Sequence, residues 1–139
     1  MLTTLIYRSR LCKSVSPHFL ERLAAKAQRF NETVNVTGIL LFDGDYFFQI
    51  LEGPSESIDQ VFHRVCADSR HTQIVQLMRD YAPDRRFGKL GMAVIDMRNA
   101  SAEAIIEQVL NQGTARYLLT YGDRVFKFIR TFVKGPRKN

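Results

Sequence analysis

"GILLFDGDYFFQILEG", residues 38–53, places two apolar runs on either side of Asp43-Gly44-Asp45. Gly44 supplies the positive φ that a tight connection needs, so the stretch reads as a hairpin of strands over 36–42 and 46–51. Neither run alternates apolar with polar residues, and strands apolar at every position need cover on both faces. Gln49 breaks the second run between Phe48 and Ile50. A carboxamide brings two donors and an acceptor into that setting and costs roughly 2 kcal/mol or more unless partners meet it. Its partner is the question the sequence poses.

Outward from the hairpin, Thr3 to Arg8 alternates and is rich in β-branched and aromatic residues, which predicts a first strand. A helix follows, with Ser16 as N-cap and Pro17 in the first position. Phe19/Leu20, Leu23/Ala24, Ala27 and Phe30 form its inward stripe, and Asn31 falls just after it. Beyond Glu52, expected to end the third strand, Pro54 opens a second helix whose stripe is Ile58, Val61/Phe62 and Val65 and which stops near Asp68. Gln73 to Tyr81 predicts a fourth strand and Met92 to Met97 a fifth. The order β-α-β-β-α-β plus one strand is that of an α+β, ferredoxin-like sandwich with two helices on one face. After Asp96 only helical patterns remain: one capped by Ser101 and ended by Gly113, and one over 123–133. Two C-terminal helices placed on the sheet's other face account for the doubly apolar strands. The chain divides on this reading into a domain at 1–96 and a helical cap or output segment at 97–139.

At 139 residues, 45% hydrophobic and 24% charged, the chain fits one domain with a real core. No apolar run approaches the ~20 residues that span a bilayer, and "MLTTLIYRS" lacks the features of a signal peptide. A cytoplasmic location without membrane contact is expected. Cys12 and Cys66 have no metal-site or disulfide-framework spacing and read as reduced thiols. The net charge of +6 is spread in mixed fashion; Arg85, Arg86 and Lys89 form one basic cluster, residues 124–138 another, and both read as solvated faces. Nucleic acid is therefore not expected as a partner. No P-loop, dinucleotide glycine signature or persuasive acid–base pair is present, so no catalytic residue is assigned.

Polar residues in apolar settings are few: Tyr7, Asn31, Gln49, Arg70 and His71. Strand parity puts Tyr7 with Leu5 and Thr3, and Gln49 with Phe47 and Leu51, so neighbouring strands one and three can present phenol and carboxamide together. Taken singly, Gln49 is equally a core amide bonded to backbone, Tyr7 a core ring, Asn31 a left-handed residue closing a helix, His71 a surface imidazole and Arg70 a partner for Asp68.

The combination of "LIYRS", Asn31, "VTGILLF", "FFQILEGP", "DSRH" and "YAPDRRFGKLGM" resembles the BLUF family, blue-light sensors that hold a flavin, usually FAD, in a ferredoxin-like domain. The likeness covers about residues 1–96 and is strongest to modules in front of cyclic-di-GMP phosphodiesterase (EAL) domains. It implies FAD as cofactor, with FMN or riboflavin as substitutes. It further implies that Tyr7, Gln49 and Met92 are the photoactive residues, and that Tyr7, Phe30, Asn31, Gln49, Asp68, Arg70 and His71 line the flavin. Many members carry a tryptophan two residues before the methionine; this chain has none, and Leu90 stands there. The resemblance implies a sensor and not an enzyme, signalling to a downstream effector protein or domain such as an EAL phosphodiesterase, and forming a homo-oligomer. Two rival readings are a colourless basic module for nucleic acid or protein, and a small hydrolase on the same sandwich.

Overall fold

The computed structural model describes residues 2–12, 17–88, 91–114 and 119–135. Strands β1 (Leu2–Leu11), β2 (Thr37–Phe42), β3 (Tyr46–Pro54), β4 (His71–Ala82) and β5 (Ala93–Asp96) form one sheet in the order β4-β1-β3-β2-β5. Neighbours are antiparallel except β2 and β5, which run parallel. Helices α1 (Pro17–Thr33) and α2 (Ser55–Ala67) belong to the ferredoxin-like unit; α3 (Ala102–Gln112) and α4 (Arg124–Lys134) follow it.

The doubly apolar hairpin is explained by two cores. Odd residues of β1 and β3, including Leu5, Tyr7, Phe47 and Leu51, pack with Leu40 and Phe42 of β2 and with Leu20, Ile58 and Val61 of α1 and α2. Even residues Ile6, Phe48 and Ile50 pack with Ile105 and Val109 of α3 and Val125, Ile129 and Val133 of α4. Each such side chain, fully buried, contributes roughly 1.5–3 kcal/mol, so sheet and C-terminal helices stabilise each other. At the hairpin, Gly44 has φ +109°, and Asp43 Oδ1 accepts the backbone N–H groups of Asp45 and Tyr46. Gly38 meets a second requirement: a Cβ there would lie 1.8 Å from the Ile50 carbonyl oxygen.

Several boundaries differ from expectation. Asn31 lies inside the last turn of α1, not after it; its carbonyl accepts from Val34 and Val36, and the left-handed residue is Asn35 at φ 60°. Pro54 is the N-cap of α2, with its helix starting at Ser55. Glu52 lies within β3. Strand β5 begins at Ala93, so Met92 precedes it, and β4 extends from His71. Ser101 and Asp123 cap α3 and α4 by accepting from Ala104 and Phe126. Ser16, Lys89 and Leu90 lie outside the described residues.

Candidate functional site

Between α1, α2 and the sheet opens a cleft of about 350 Å³, within the size range of small-molecule sites. Its floor is set by strand register. Tyr7 and Gln49 are directly paired across β1 and β3, so their side chains leave the same face of the sheet. The Tyr7 hydroxyl donates to Gln49 Oε1, and Gln49 Nε2 donates to Met92 Sδ at 3.0 Å. Tyr7 and Gln49 are 1% and 5% exposed. The buried amide is thereby bonded at both ends by side chains instead of backbone. Burial, with smaller contributions from Cys66 and Asp68, pushes the Tyr7 phenol far above its ordinary value, so it is held neutral. A shift in β1–β4 register between Ile6 and Tyr7 marks a bulge beside this phenol.

The wall from α1 carries Leu23, Lys26, Ala27, Phe30 and Asn31, and that from α2 carries Val61, Arg64 and Val65. Asn31 is 1% exposed, and its Nδ2 finds no partner among the described residues. A native fold leaves a buried donor orphaned rarely, and at a cleft wall it is a place for a ligand's carbonyl. At the far end Asp68, Arg70 and His71 follow α2. Arg70 donates to Asp68 through Nε at 3.0 Å and Nη2 at 2.7 Å, and that pairing draws the Asp68 carboxyl down to about 2. His71 Nδ1 shares a 2.8 Å hydrogen bond with Ser9 Oγ, and burial lowers its pKa, which favours the neutral ring. Its ring packs 5.2 Å from that of Phe47.

Tyr7, Phe30, Asn31, Gln49, Asp68, Arg70 and His71 all line this one cleft, with Met92 behind Gln49. Sequence reasoning missed Lys26 and Arg64. Both sit one helical turn from residues it selected, Phe30 on α1 and Asp68 beyond α2, and the Arg64 guanidinium lies 3.8 Å over the Phe30 ring. It also missed Ser9, two residues along β1 from Tyr7 and therefore on the same face. The basic cluster at 85–86 is a correction: Arg86 is 9% exposed and paired with Asp123, a charge too enclosed to be a solvated face.

The arrangement suits a flat, mostly apolar ligand with polar edges. Aliphatic and aromatic walls can sandwich it, Asn31 Nδ2 and the Gln49 amide can meet ring carbonyls, and Lys26, Arg64 and Arg70 offer cationic donors to anionic or hydroxylated substituents. An isoalloxazine ring with a phosphorylated ribityl chain has this chemistry.

A family model described as "BLUF: Sensors of blue-light using FAD" matches residues 2–93. The blue light- and temperature-regulated antirepressor BluF of Escherichia coli (strain K12) is 47% identical over 133 residues, 96% of this chain and 33% of that protein. Photoactivated adenylate cyclase subunit beta of Euglena gracilis is 28% identical over 113 residues, 80% of this chain and 13% of that one. The chain thus spans a third or less of these relatives. Among solved structures, BlrP1 BLUF superimposes with a TM-score of 0.87 at 39% identity, covering 96% of this chain and 90% of that one. Klebsiella pneumoniae BlrP1 with FMN and cyclic diGMP gives 0.86 at 39%, covering 96% and 34%. With the cleft, the paired phenol and carboxamide, and these matches in agreement, this chain belongs to the BLUF family and is a flavin-binding, photosensory blue-light domain.

Proposed function

We propose that FAD is the flavin, with FMN or riboflavin able to substitute, and that the cleft between α1 and α2 holds it. Phe30 and the aliphatic walls pack on its ring, Asn31 and Gln49 bond its polar edges, and Arg70, with Asp68 fixing its guanidinium, and His71 attend its side chain. The observation that carries this reading is the buried line from Tyr7 through Gln49 to Met92, beside the orphaned Asn31 amide.

When bound, the flavin would supply blue-light absorption and an electron-accepting excited state. Tyr7 would be the residue that yields an electron, and because its hydroxyl already donates to Gln49 Oε1, the Gln49 carboxamide would be the first acceptor on its proton's path. Gln49 records the event because its two ends differ, one accepting and one donating. A half-turn of the amide faces its donor toward Tyr7 and takes the donor away from Met92. Exchanging hydrogen bonds worth about 1 kcal/mol each moves a balanced equilibrium several-fold and leaves the fold intact.

Residues 1–96 act as the sensor and 97–139 as the segment that passes the change on. The recipient is an effector domain or partner protein such as an EAL-type cyclic-di-GMP phosphodiesterase, a reading supported by the structural neighbour that was solved with cyclic diGMP, and the working form is a cytoplasmic homo-oligomer. The test is optical. Purified protein should be yellow, its flavin band should move to longer wavelength under blue light and recover in darkness, and Tyr7→Phe should abolish the shift while retaining flavin. Colourless protein with salt-dependent nucleic-acid binding would favour the rival module.

A further inference from the structure

We infer that the cavity between the β1–β4 pair and the N-terminus of α4 is a second binding site, separate from the flavin cleft, and that its ligand is a free oxyanion of phosphate size. Met78 and Val125, members of the core shared with α3 and α4, line it, which puts it on the face of the sheet away from that cleft. Its volume is about 180 Å³. That is below the roughly 300–1,000 Å³ of sites for drug-sized molecules, so it has room for a small ion and none for a flavin or a nucleotide. Thr4 also lines it, directly opposite Asp80 across β1 and β4. Thr4 is 1% exposed, and its Oγ1 finds no partner among the described residues. Such an orphan is rare in a native fold, and beside a cavity it marks a place for a ligand atom.

The groups around Thr4 decide the sign of the ligand. Three carboxylates stand near it, and each is already matched. Glu52, opposite Thr4 on the β3 side, accepts the backbone N–H of Phe87 at 2.8 Å and of Arg86 at 2.9 Å. Asp123 is gripped by Arg86 through Nε at 3.1 Å and Nη2 at 2.7 Å, and its Oδ2 also caps α4 by accepting from Phe126 N. Asp80 accepts from Tyr81 N at 2.8 Å and from Arg124 Nη1 at 3.4 Å. Donors are therefore in excess. Besides the Thr4 hydroxyl they are Arg86 Nη1, which the grip on Asp123 leaves over, and the Arg124 guanidinium, 68% exposed at the rim and loosely held. Arg124 and Val125 add the first-turn N–H groups of α4, which have no intrahelical partner, at the positive end of the helix dipole. An oxyanion, with several lone pairs on a small body, uses this donor set. A cation would meet only carboxylates that are already engaged.

The full chain with flavin in excess, which keeps phosphate out of the main cleft, is titrated in darkness with inorganic phosphate while backbone amide shifts are followed by NMR. Sodium chloride at equal ionic strength is the reference, because screening alone moves both titrations alike. Saturating shifts are expected at Thr4, Asp80, Gly122, Arg124 and Val125, with half-saturation at about 1 mM. Thr4→Val keeps the shape and removes the hydroxyl, so it should weaken phosphate about five-fold, the effect of one hydrogen bond, in a chain that still folds. Arg124→Gln, at an exposed position where folding is not at stake, should weaken it about three-fold. Asp80→Asn separates an anion from a cation: it removes the carboxylate opposite Thr4 and frees Arg124, and should tighten phosphate about three-fold. No saturation by about 50 mM phosphate, the same shifts with chloride, or shifts confined to Lys26, Arg64 and Arg70 of the flavin cleft would overturn the inference. So would unchanged affinity in both Thr4→Val and Arg124→Gln, or weaker binding in Asp80→Asn.

Discussion

Replacing Gln49 with leucine should destabilise the protein more than replacing Gln49 and Tyr7 together. In the single variant the Tyr7 hydroxyl, 1% exposed, loses its acceptor in a site that water does not reach, at a cost of about 1–3 kcal/mol. Met92 loses only a donor to a weakly accepting thioether, which adds little. Tyr7→Phe leaves Gln49 Oε1 without its donor and should cost about 1 kcal/mol. In Tyr7→Phe/Gln49→Leu both groups become apolar with shape nearly kept, so most of the single-variant cost should disappear, giving a coupling of about 2–3 kcal/mol. Urea unfolding at a fixed excess of flavin measures the cycle, with equal m-values as the check that each variant unfolds alike. Costs that add to within about 0.3 kcal/mol would show that the two side chains do not depend on each other and would refute the buried pair.

Asn31→Ala removes the orphaned donor at the cleft wall and should weaken flavin retention by about ten-fold, read by equilibrium dialysis, with unfolding of the flavin-free chain unchanged or slightly strengthened. Gly38→Ala forces a Cβ to within 1.8 Å of the Ile50 carbonyl, and separating β2 from β3 to relieve it should cost on the order of 3 kcal/mol in thermal or urea unfolding. The Asp68 carboxyl is lowered from 3.8 to about 2 by the Arg70 guanidinium, so this pair's stabilisation is complete above the ordinary carboxylate range and is lost as pH falls through about 2. Asp68→Asn should therefore flatten the acid limb of a urea-midpoint series over that window, modestly, because Arg70 is partly open to solvent.

The fold was legible because its determinants are local. Gly44 and the flanking aspartates fix the hairpin turn, parity pairs Tyr7 with Gln49 once β1 and β3 are neighbours, and Ser101 announces its helix. What sequence patterns misplaced were ends decided by tertiary contacts. Asn31 looked like a residue closing α1 because asparagine favours the left-handed conformation, yet the turn forms at Asn35 and leaves Asn31 on the buried stripe of the helix. Glu52 and Arg86 were unreadable for a different reason. Their partners lie more than thirty residues away in sequence, so neither the glutamate at the end of an apolar run nor the arginine in a polar loop shows from its neighbours which donor or counter-ion the fold supplies. Within the site, the grouping of Tyr7, Asn31, Gln49 and Met92 came from the family resemblance, whereas Lys26, Arg64 and Ser9 needed helix phase and strand register in three dimensions.

The most direct measurement is the light-minus-dark absorption spectrum of the flavin-loaded chain beside its Gln49→Leu variant. The account predicts a reversible move of the flavin band to longer wavelength in the wild type and none in the variant, although both bind flavin. A shift of equal size in Gln49→Leu would contradict the claim that this amide stores the signal.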